Sequence, residues 1–249
     1  MVGYGNILDP AALARDGLFV AEGRLVVRRL LASPRFKTRS VLVTPIACEA
    51  IRDVLPKALP CYIVDQSEMD SIVGFNIHRG CLALAERPDM PTIAQLDLET
   101  ASRVVVLEGV NNPDNIGGIF RSAAAFDVQL VVLGPGCGDP FYRKAIRTSM
   151  AATLDVPMAR ADVWPAAIDL FHAAGLRVVA LTPARNATPL DQRTRGGERV
   201  ALLVGAEGQG LSSAALAAAS ERIRIRTTDR VDSLNVAVAA SIAMHHYFG

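Results

Sequence analysis

The sequence has few cysteines, and their spacing is not that of a metal site. Its four cysteines, Cys48, Cys61, Cys81 and Cys137, are widely separated and form no C-x-x-C pair. The four histidines do not complement them at the spacing of zinc ligands. We therefore predict no metal site and no disulfide framework. Cysteines that remain as free thiols are typical of proteins in the reducing cytoplasm, so we expect this location.

Long apolar runs and a secretory amino terminus are also absent. No stretch approaches the roughly eighteen consecutive apolar residues of a membrane-spanning helix. The first residues lack a basic segment followed by an apolar run, so we expect neither a membrane association nor a secretory signal. The net charge of +1 gives no general signature of a nucleic-acid-binding protein.

Positive charge is nevertheless concentrated in one short segment. Between Arg24 and Arg39 there is no acidic residue, and the segment carries the cations Arg24, Arg28, Arg29, Arg35, Lys37 and Arg39. Such clustering is typical of a surface that contacts phosphates. A solvated helix face is the alternative interpretation.

The chain divides into two α/β blocks. The first alternates helical stretches with short strands and ends in a proline-containing linker near residues 88–100. The second contains predicted strands at 103–108 and 129–133 and apolar runs at 176–181 and 199–204, the latter typical of strands buried on both faces of a parallel sheet. We predict an α/β fold with domains at 1–97 and 101–249, a mainly parallel sheet with helices on both faces, and a single helix at 142–152.

Three loops that follow strands carry the polar residues of interest. They occupy residues 108–121, 203–213 and 223–240, and the first two are rich in glycine. Ligands of open α/β sheets bind at the carboxyl ends of strands, where exposed backbone N–H groups favour anions. In the simplest alternative the loops are turns before helices, capped by Asn115, by Ser212 and by Asp232 or Ser233.

Taken together and in this order, the three loops resemble the SpoU (TrmH-like) branch of the SPOUT RNA ribose methyltransferases. The first motif corresponds to 115–121, the second to 205–211, and the third to 225 through 233–236. Residues 143–151 resemble the basic segment between the first two motifs. The first ninety or so residues resemble a ribosomal-protein-L30e-like substrate-binding domain, through 19–23 and 78–83.

This resemblance implies methyl transfer from S-adenosylmethionine to a ribose 2′-hydroxyl of structured RNA. It also implies a trefoil knot that holds the cofactor, and a homodimer that brings Arg121 toward the partner subunit's cofactor. The implied catalytic residues are Asn115, Arg121, Glu207, Ser233 and Asn235. The implied cofactor-binding residues are Leu181, Thr182, Gly205, Glu207, Gly208, Ile225, Thr227 and Leu234. For RNA binding we predict Arg24, Arg28, Arg29, Arg35, Lys37 and Arg147.

The sequence departs from the family pattern in two places. Arg226, Thr227 and Asp229 stand where the third motif usually has Pro, Met and Gly, and Ala151 replaces a usual Gly. The favoured substrate is 23S-type ribosomal RNA, with transfer RNA as the alternative. The sequence also leaves open a catalytically silent RNA-binding protein or a nucleotide-binding oxidoreductase, although the fingerprint G-x-G-x-x-G of the latter is missing.

Overall fold

The computed structural model describes residues 4–5, 7–77, 79–194 and 199–249. Contacts divide the chain into two compact units. Unit 1 comprises the described residues up to Asp89 together with Pro140–Leu154, and unit 2 comprises Met90–Asp139 and Asp155–Gly249. By contacts the chain first changes units at residue 90, and a functional boundary between 97 and 101 stays a prediction. His78 of the amino-terminal resemblance lies outside the described residues.

Unit 1 is built on a four-stranded sheet in the order β1-β4-β2-β3. Its strands are β1 (Leu18–Glu22), β2 (Thr38–Val43), β3 (Cys61–Ile63) and β4 (Cys81–Glu86). Its helices are α1 (Pro10–Arg15), α2 (Arg24–Ala32), α3 (Pro45–Ile51), α4 (Gln66–Val73) and, further along the chain, α6 (Arg143–Thr148). The strand β1 was not predicted. All five of its residues are buried, and periodicity alone does not distinguish so short an apolar run from a buried helix segment.

Unit 2 is built on a seven-stranded sheet in the order β7-β6-β5-β10-β8-β11-β9, in which every pairing is parallel. Its strands are β5 (Arg103–Glu108), β6 (Leu130–Leu133), β7 (Met158–Arg160), β8 (Arg177–Leu181), β9 (Thr188–Pro189), β10 (Val200–Gly205) and β11 (Glu221–Arg224). Its helices are α5 (Pro113–Ala125), α8 (Ala167–Ala173), α9 (Ser213–Ala218) and α10 (Val236–Phe248). A short helix, α7 (Ala152–Asp155), spans the point where the chain re-enters this unit.

Both faces of the unit 2 sheet are covered. In β5, Val104 and Val106 join a core cluster that includes Phe171 of α8, while the alternate residues Val105 and Leu107 are equally buried. Period-two alternation is therefore absent, as expected for strands buried on both faces. The predicted mainly parallel α/β sheet is confirmed.

The predicted linker at 88–100 is wrong in its second half. A short 3₁₀ helix occupies Ile93–Gln95, and Ile93 and Leu98 are buried in the core of unit 2. Arg199 fixes the following turn by donating hydrogen bonds to the carbonyls of Leu98 and Ala101. Proline and acidic residues indicated exposed chain, but two apolar side chains in the segment are enough to draw it into the core.

The single helix predicted at 142–152 is interrupted. The helix α6 ends at Thr148, and Met150 and Ala151 follow in left-handed backbone conformations with φ of 55° and 72°. An L-residue pays about 1 to 2 kcal/mol to adopt this conformation, which glycine adopts freely. The glycine that the family pattern has at position 151 thus fits the backbone better than the alanine of this chain.

Candidate functional site

A pocket of about 630 Å³ lies at the carboxyl ends of three adjacent strands of unit 2. Leu181 ends β8, Gly205 ends β10, and Arg224 ends β11, and all three residues line the pocket. In the sheet, β8 lies between β10 and β11, whereas in the chain β10 lies between β8 and β11. The pocket therefore occupies the edge of the sheet at which parallel α/β folds bind their ligands.

All the residues that the family resemblance implies for cofactor binding line this pocket. They are Leu181, Thr182, Gly205, Glu207, Gly208, Ile225, Thr227 and Leu234. Ser233 and Asn235 line it as well. Further residues line the pocket without having been predicted, among them Arg185 and Val231, because only their place in the loops after β8 and β11 brings them there.

The glycine-rich loop after β10 folds back tightly on itself. A Cβ atom at Gly205 would lie 2.2 Å from the amide nitrogen of Leu211, so no larger residue fits there without moving the backbone. The loop is closed by a bridge between Ala206 and Gly210, and Gly210 adopts a φ of +69°. These requirements explain why glycines flank Glu207 in the sequence.

Three of the predicted catalytic residues form one hydrogen-bonded group. The side-chain nitrogen Nδ2 of Asn235 donates to Oδ1 of Asn115 over 2.9 Å and to Oε1 of Glu207 over 2.8 Å. Its oxygen Oδ1 accepts from the backbone N–H groups of Ala237 and Val238. Asn235 is thus the amino-terminal cap of α10, so the expected caps Asp232 and Ser233 are wrong.

The network runs from the protein interior to the surface. Asn115 is buried, whereas Glu207 is exposed at the pocket. Asn115 does not cap α5, since Asn112 fills that position and accepts from the N–H of Asp114. Asn115 therefore lies inside the first turn of the helix, where its side chain is available to Asn235. The predicted cap of α9 is confirmed, because the Ser212 side chain accepts from the N–H of Ala215.

Arg121 is separate from this network. It lies six residues after Asn115 on α5, which places it about 9 Å along the helix axis and about 120° around it. Its side chain is exposed, and Arg121 is not among the described residues that line the pocket. Within one chain, the structure thus brings together four of the five predicted catalytic residues at or beside the pocket, and Arg121 is not one of them.

The altered third motif forms ion pairs with the segment that follows β8. The guanidinium of Arg226 donates to Asp191, with the closest contact at 2.8 Å, and Arg185 donates to Asp229 over 2.7 Å. The backbone of Asp229 does not adopt a positive φ. The backbone at this position therefore does not require the glycine that the family pattern has.

The basic segment of unit 1 is partly neutralised by its own neighbours. Arg28 forms a two-point ion pair with Asp53, and Lys37 lies 2.8 Å from Glu86. Hydrogen bonds from these cations lower the pKa of both carboxyl groups, with Arg39 contributing at Glu86. Both carboxylates stay charged at neutral pH, so they offset two of the predicted phosphate-binding cations.

Most of the remaining predicted RNA-binding residues also make contacts within unit 1. Arg24 and Arg29 are exposed on α2, and Arg29 donates to the carbonyl of Met150. Arg35 donates to the carbonyl of Leu154. Arg147 lies 3.3 Å from the buried carboxylate of Glu22, which also pairs with Arg143. Within unit 1, the segment 140–154 is thus held to the amino-terminal part of the chain by side chains of both regions.

Membrane-spanning helices and metal clusters are both absent from the described part of the chain. There, no helix is both long and apolar enough to cross a membrane. No cluster of three or more histidine, cysteine or acidic side chains among the described residues could hold a metal ion. The four cysteines have free thiols.

Both the sequence and the fold of this chain are similar to those of known proteins. The family described as the SpoU rRNA Methylase family matches residues 102–245. An uncharacterized tRNA/rRNA methyltransferase of Mycobacterium tuberculosis is 44% identical over 231 residues, which is 92% of this chain and 80% of that protein. The 23S rRNA (guanosine(2553)-2′-O)-methyltransferase RlmP of Bacillus subtilis is 29% identical over 235 residues, covering 94% of this chain and 90% of its own length.

The fold is shared with solved structures along almost the whole chain. The S-adenosylmethionine-bound rRNA methyltransferase of Sinorhizobium meliloti superposes with a TM-score of 0.82, at 23% identity, over 98% of this chain and 91% of that structure. The predicted SPOUT-type fold is therefore confirmed, whereas the L30e-like description of unit 1 stays a prediction. From the three motifs, the matched model and the relatives that span both units, we conclude that this chain belongs to the SpoU rRNA methylase family.

Proposed function

We propose that this protein transfers a methyl group from S-adenosylmethionine to a ribose 2′-hydroxyl of structured ribosomal RNA of the 23S type. The main support is that all the implied cofactor-binding residues line one pocket, which lies beside the Asn115–Asn235–Glu207 network. The match to the 23S rRNA enzyme of Bacillus subtilis extends over both units, which favours ribosomal over transfer RNA. The free thiols fit the reducing cytoplasm.

The size and the lining of the pocket support the proposed cofactor. Its volume of about 630 Å³ falls within the roughly 300 to 1,000 Å³ of small-molecule sites. One wall is the backbone of the glycine-rich loop, where the missing side chain of Gly205 lets the chain pass close to itself. Arg224 supplies positive charge that would suit a carboxylate, and Glu207 and Asp232 supply negative charge that would suit an ammonium or sulfonium group, whereas Arg185 and Asp229 pair with each other.

The residues of the chain have to align the reactants rather than create a new nucleophile. When bound, S-adenosylmethionine supplies a methyl group on a positively charged sulfur, and its transfer requires the acceptor oxygen in line. Holding reactants in such a geometry contributes much of the rate of enzymes. Asn235 uses both its donors and its acceptor within the network, so we assign it to holding the loops.

Arg121 is assigned to the RNA rather than to proton abstraction. A guanidinium stays protonated at neutral pH, so it is a poor general base, but it binds phosphate oxygens in two-point geometry. We assign it to the ribose and the adjacent phosphate of the target nucleotide. Asn115 and Ser233 support the site from the network and from the pocket wall.

A homodimer explains why Arg121 lies apart from the pocket of its own chain. Its exposed position on α5 leaves it accessible to a second subunit. The adjacent helix α10 exposes Val238 at 48% and Ile242 at 39%, although its other apolar residues are largely buried. These two side chains lie one helical turn apart, so they present one small apolar surface that a second copy of the chain would cover. We propose that Arg121 serves the pocket of the partner subunit.

Binding of S-adenosylmethionine should depend on Asn235. The Asn235→Ala variant loses both network hydrogen bonds and the cap of α10. We expect its dissociation constant for S-adenosylmethionine to rise about tenfold, because one or two hydrogen bonds that hold the loop are lost. Isothermal titration calorimetry of S-adenosylmethionine and S-adenosylhomocysteine with wild type and variant measures this.

Asp65→Ala is the matched control for this experiment. Asp65 caps α4 in unit 1 by accepting from the N–H of Glu68. Each variant should lose about 1 kcal/mol of unfolding free energy through its missing cap, and Asn235→Ala should lose more because its two network hydrogen bonds are also removed. Only Asn235→Ala should bind the cofactor more weakly. Absence of binding by the wild-type protein would contradict the proposal and favour the silent RNA-binding protein.

RNA binding should depend on the exposed cations of the basic segment. We expect the triple replacement of Arg24, Arg29 and Lys37 by glutamine to weaken binding of a 23S rRNA fragment. The slope of the logarithm of the binding constant against the logarithm of salt concentration should fall by about 2, because Arg24 and Arg29 each lose one phosphate contact and Lys37, which is offset by Glu86, contributes less. Filter binding between low and moderate salt measures both quantities.

The control variant removes the same charge elsewhere in unit 1. Arg15, Arg52 and Lys57 are exposed and lie outside the basic segment. Their replacement by glutamine should change the slope much less. Equal slopes for wild type and the Arg24, Arg29 and Lys37 variant would show that the segment is an ordinary solvated face.

A further inference from the structure

Glu108 is a buried carboxylate beside the pocket that sequence analysis did not single out. It ends β5 and pairs in register with Gly205 at the end of β10. Glu108 is only 9% exposed, and it is not among the described residues that line the pocket. The only signal in the sequence is an acidic residue directly after the apolar run 104–107.

Both oxygens of this carboxylate accept hydrogen bonds from separate segments. The oxygen Oε1 accepts from the indole Nε1 of Trp164 over 2.6 Å. The oxygen Oε2 accepts from the backbone N–H of Ser212 over 2.8 Å. A buried carboxylate is stable when its oxygens are occupied in this way, and bonds to a charged acceptor are stronger than neutral ones.

Ser212 is the point at which the glycine-rich loop ends. It caps α9 immediately after the loop, whose turn from Ala206 to Gly210 forms a wall of the pocket. At the beginning of the loop, the side chain of Glu207 is held by Asn235. The loop is therefore fixed at two positions, near its start by the Asn235 network and at its end by Glu108.

We propose that Glu108 is a positioning residue that sets the glycine-rich loop for S-adenosylmethionine, with Trp164 orienting its carboxylate. This inference rests on the proposed function. Glu108 does not contact the pocket directly, so it acts through the backbone of Ser212 and the loop. A glutamine at this position presents one oxygen and one NH₂ group, and the NH₂ group cannot accept from either donor.

Trp164 provides a spectroscopic reporter for the test, since it is the one tryptophan of the chain. Wild type and Glu108→Gln are titrated with S-adenosylhomocysteine by calorimetry and by tryptophan fluorescence, at a temperature well below unfolding. We expect the dissociation constant of Glu108→Gln to rise about tenfold and its emission to shift, because the indole loses a charged acceptor.

Glu22→Gln is the matched control, because Glu22 is a buried, ion-paired carboxylate of unit 1. It should lower the unfolding temperature while leaving the dissociation constant and the emission unchanged. This comparison separates a positioning role from a loss of stability alone. If the wild type does not bind, the proposed function fails; if it binds and Glu108→Gln binds equally well, the inference about Glu108 is overturned.

A second pair of variants carries the test if Glu108→Gln does not fold. Ser212→Ala keeps the N–H group that donates to Glu108 and loses only the side-chain cap. Ser212→Pro removes that N–H group as well, and the φ of −59° at Ser212 is one that proline adopts. Weaker cofactor binding by Ser212→Pro than by Ser212→Ala supports the inference, and equal binding overturns it.

Discussion

Replacing Arg121 by alanine is expected to lower kcat for methyl transfer about 100-fold at saturating RNA, since misplacement of a reacting group costs roughly this factor. The physical reason is the loss of a fixed cation that orients the ribose and its adjacent phosphate. Arg121 is exposed on α5, and alanine is a good helix former. The unfolding free energy should therefore change by less than about 0.5 kcal/mol. Single-turnover kinetics with labelled cofactor, together with urea unfolding, measure the two quantities.

Two further variants control for charge and for nonspecific effects. Arg121→Lys keeps the positive charge but not the planar two-point geometry, so its rate should lie between those of wild type and Arg121→Ala. Arg222→Ala removes another exposed arginine of unit 2 and should leave the rate unchanged. Near-normal turnover of Arg121→Ala would contradict the role assigned to this residue.

The same variant tests whether the site is shared between subunits. If Arg121 serves the partner's pocket, a mixed dimer of Arg121→Ala and Asn235→Ala subunits contains one site with both residues intact. Mixing the two purified variants under conditions that allow subunit exchange should then restore part of the activity. No recovery, with mixed dimers present, would place Arg121 at the pocket of its own chain.

Glu22→Gln is expected to destabilise the protein by about 3 kcal/mol, the scale for breaking a buried ion pair from one side. The side chain of Glu22 is 5% exposed, and it pairs with Arg143 and Arg147. Glutamine leaves the largely buried Arg143 guanidinium without its counterion. For a chain of this length the loss corresponds to a fall in Tm of roughly 6 to 12 °C. Differential scanning calorimetry measures it.

Glu49→Gln is the exposed counterpart of this variant. Glu49 pairs with Arg52 on the surface, with both side chains more than half exposed. Exposed ion pairs contribute about 0 to 1 kcal/mol, so Glu49→Gln should lower Tm little. Equal shifts for the two variants would show that the Glu22 cluster does not hold the segment 140–154 to unit 1.

The parts of the fold that the sequence predicts are those with a local signal. Continuous apolar runs identify β5 and β10, because a strand covered on both faces needs an apolar residue at every position. The glycine-rich loop is equally evident, since the close approach at Gly205 excludes other residues. The caps at Asn112 and Asn235 were harder to place, because several cap-forming residues stand next to one another in each loop.

The parts that the sequence does not predict depend on contacts between distant residues. Glu22 and Arg143 are 121 positions apart, and nothing near either residue indicates the other. Glu108 and Ser212 are 104 positions apart in the same way. The break between α6 and α7 escapes prediction for a different reason: no glycine or proline marks it, and alanine and methionine favour a continuous helix.

The candidate site is intermediate between these cases. Asn115, Glu207 and Asn235 are each recognisable from a motif, but only the parallel sheet and the packing of α5 on α10 explain why they meet. The third motif shows how a departure from a pattern is accommodated. Arg226 and Asp229 form ion pairs with the segment after β8 in place of the usual residues.

The central claim is methylation of a ribose 2′-hydroxyl in 23S-type ribosomal RNA. The most direct test incubates the protein with methyl-labelled S-adenosylmethionine and unmodified transcripts of 23S rRNA, 16S rRNA or transfer RNA, followed by digestion to nucleosides and mass spectrometry. We predict label in a single 2′-O-methylated nucleoside of 23S rRNA, at a rate that falls sharply in Arg121→Ala. Label on a base, or no transfer to any of the three RNAs by protein that binds the cofactor, would contradict the account.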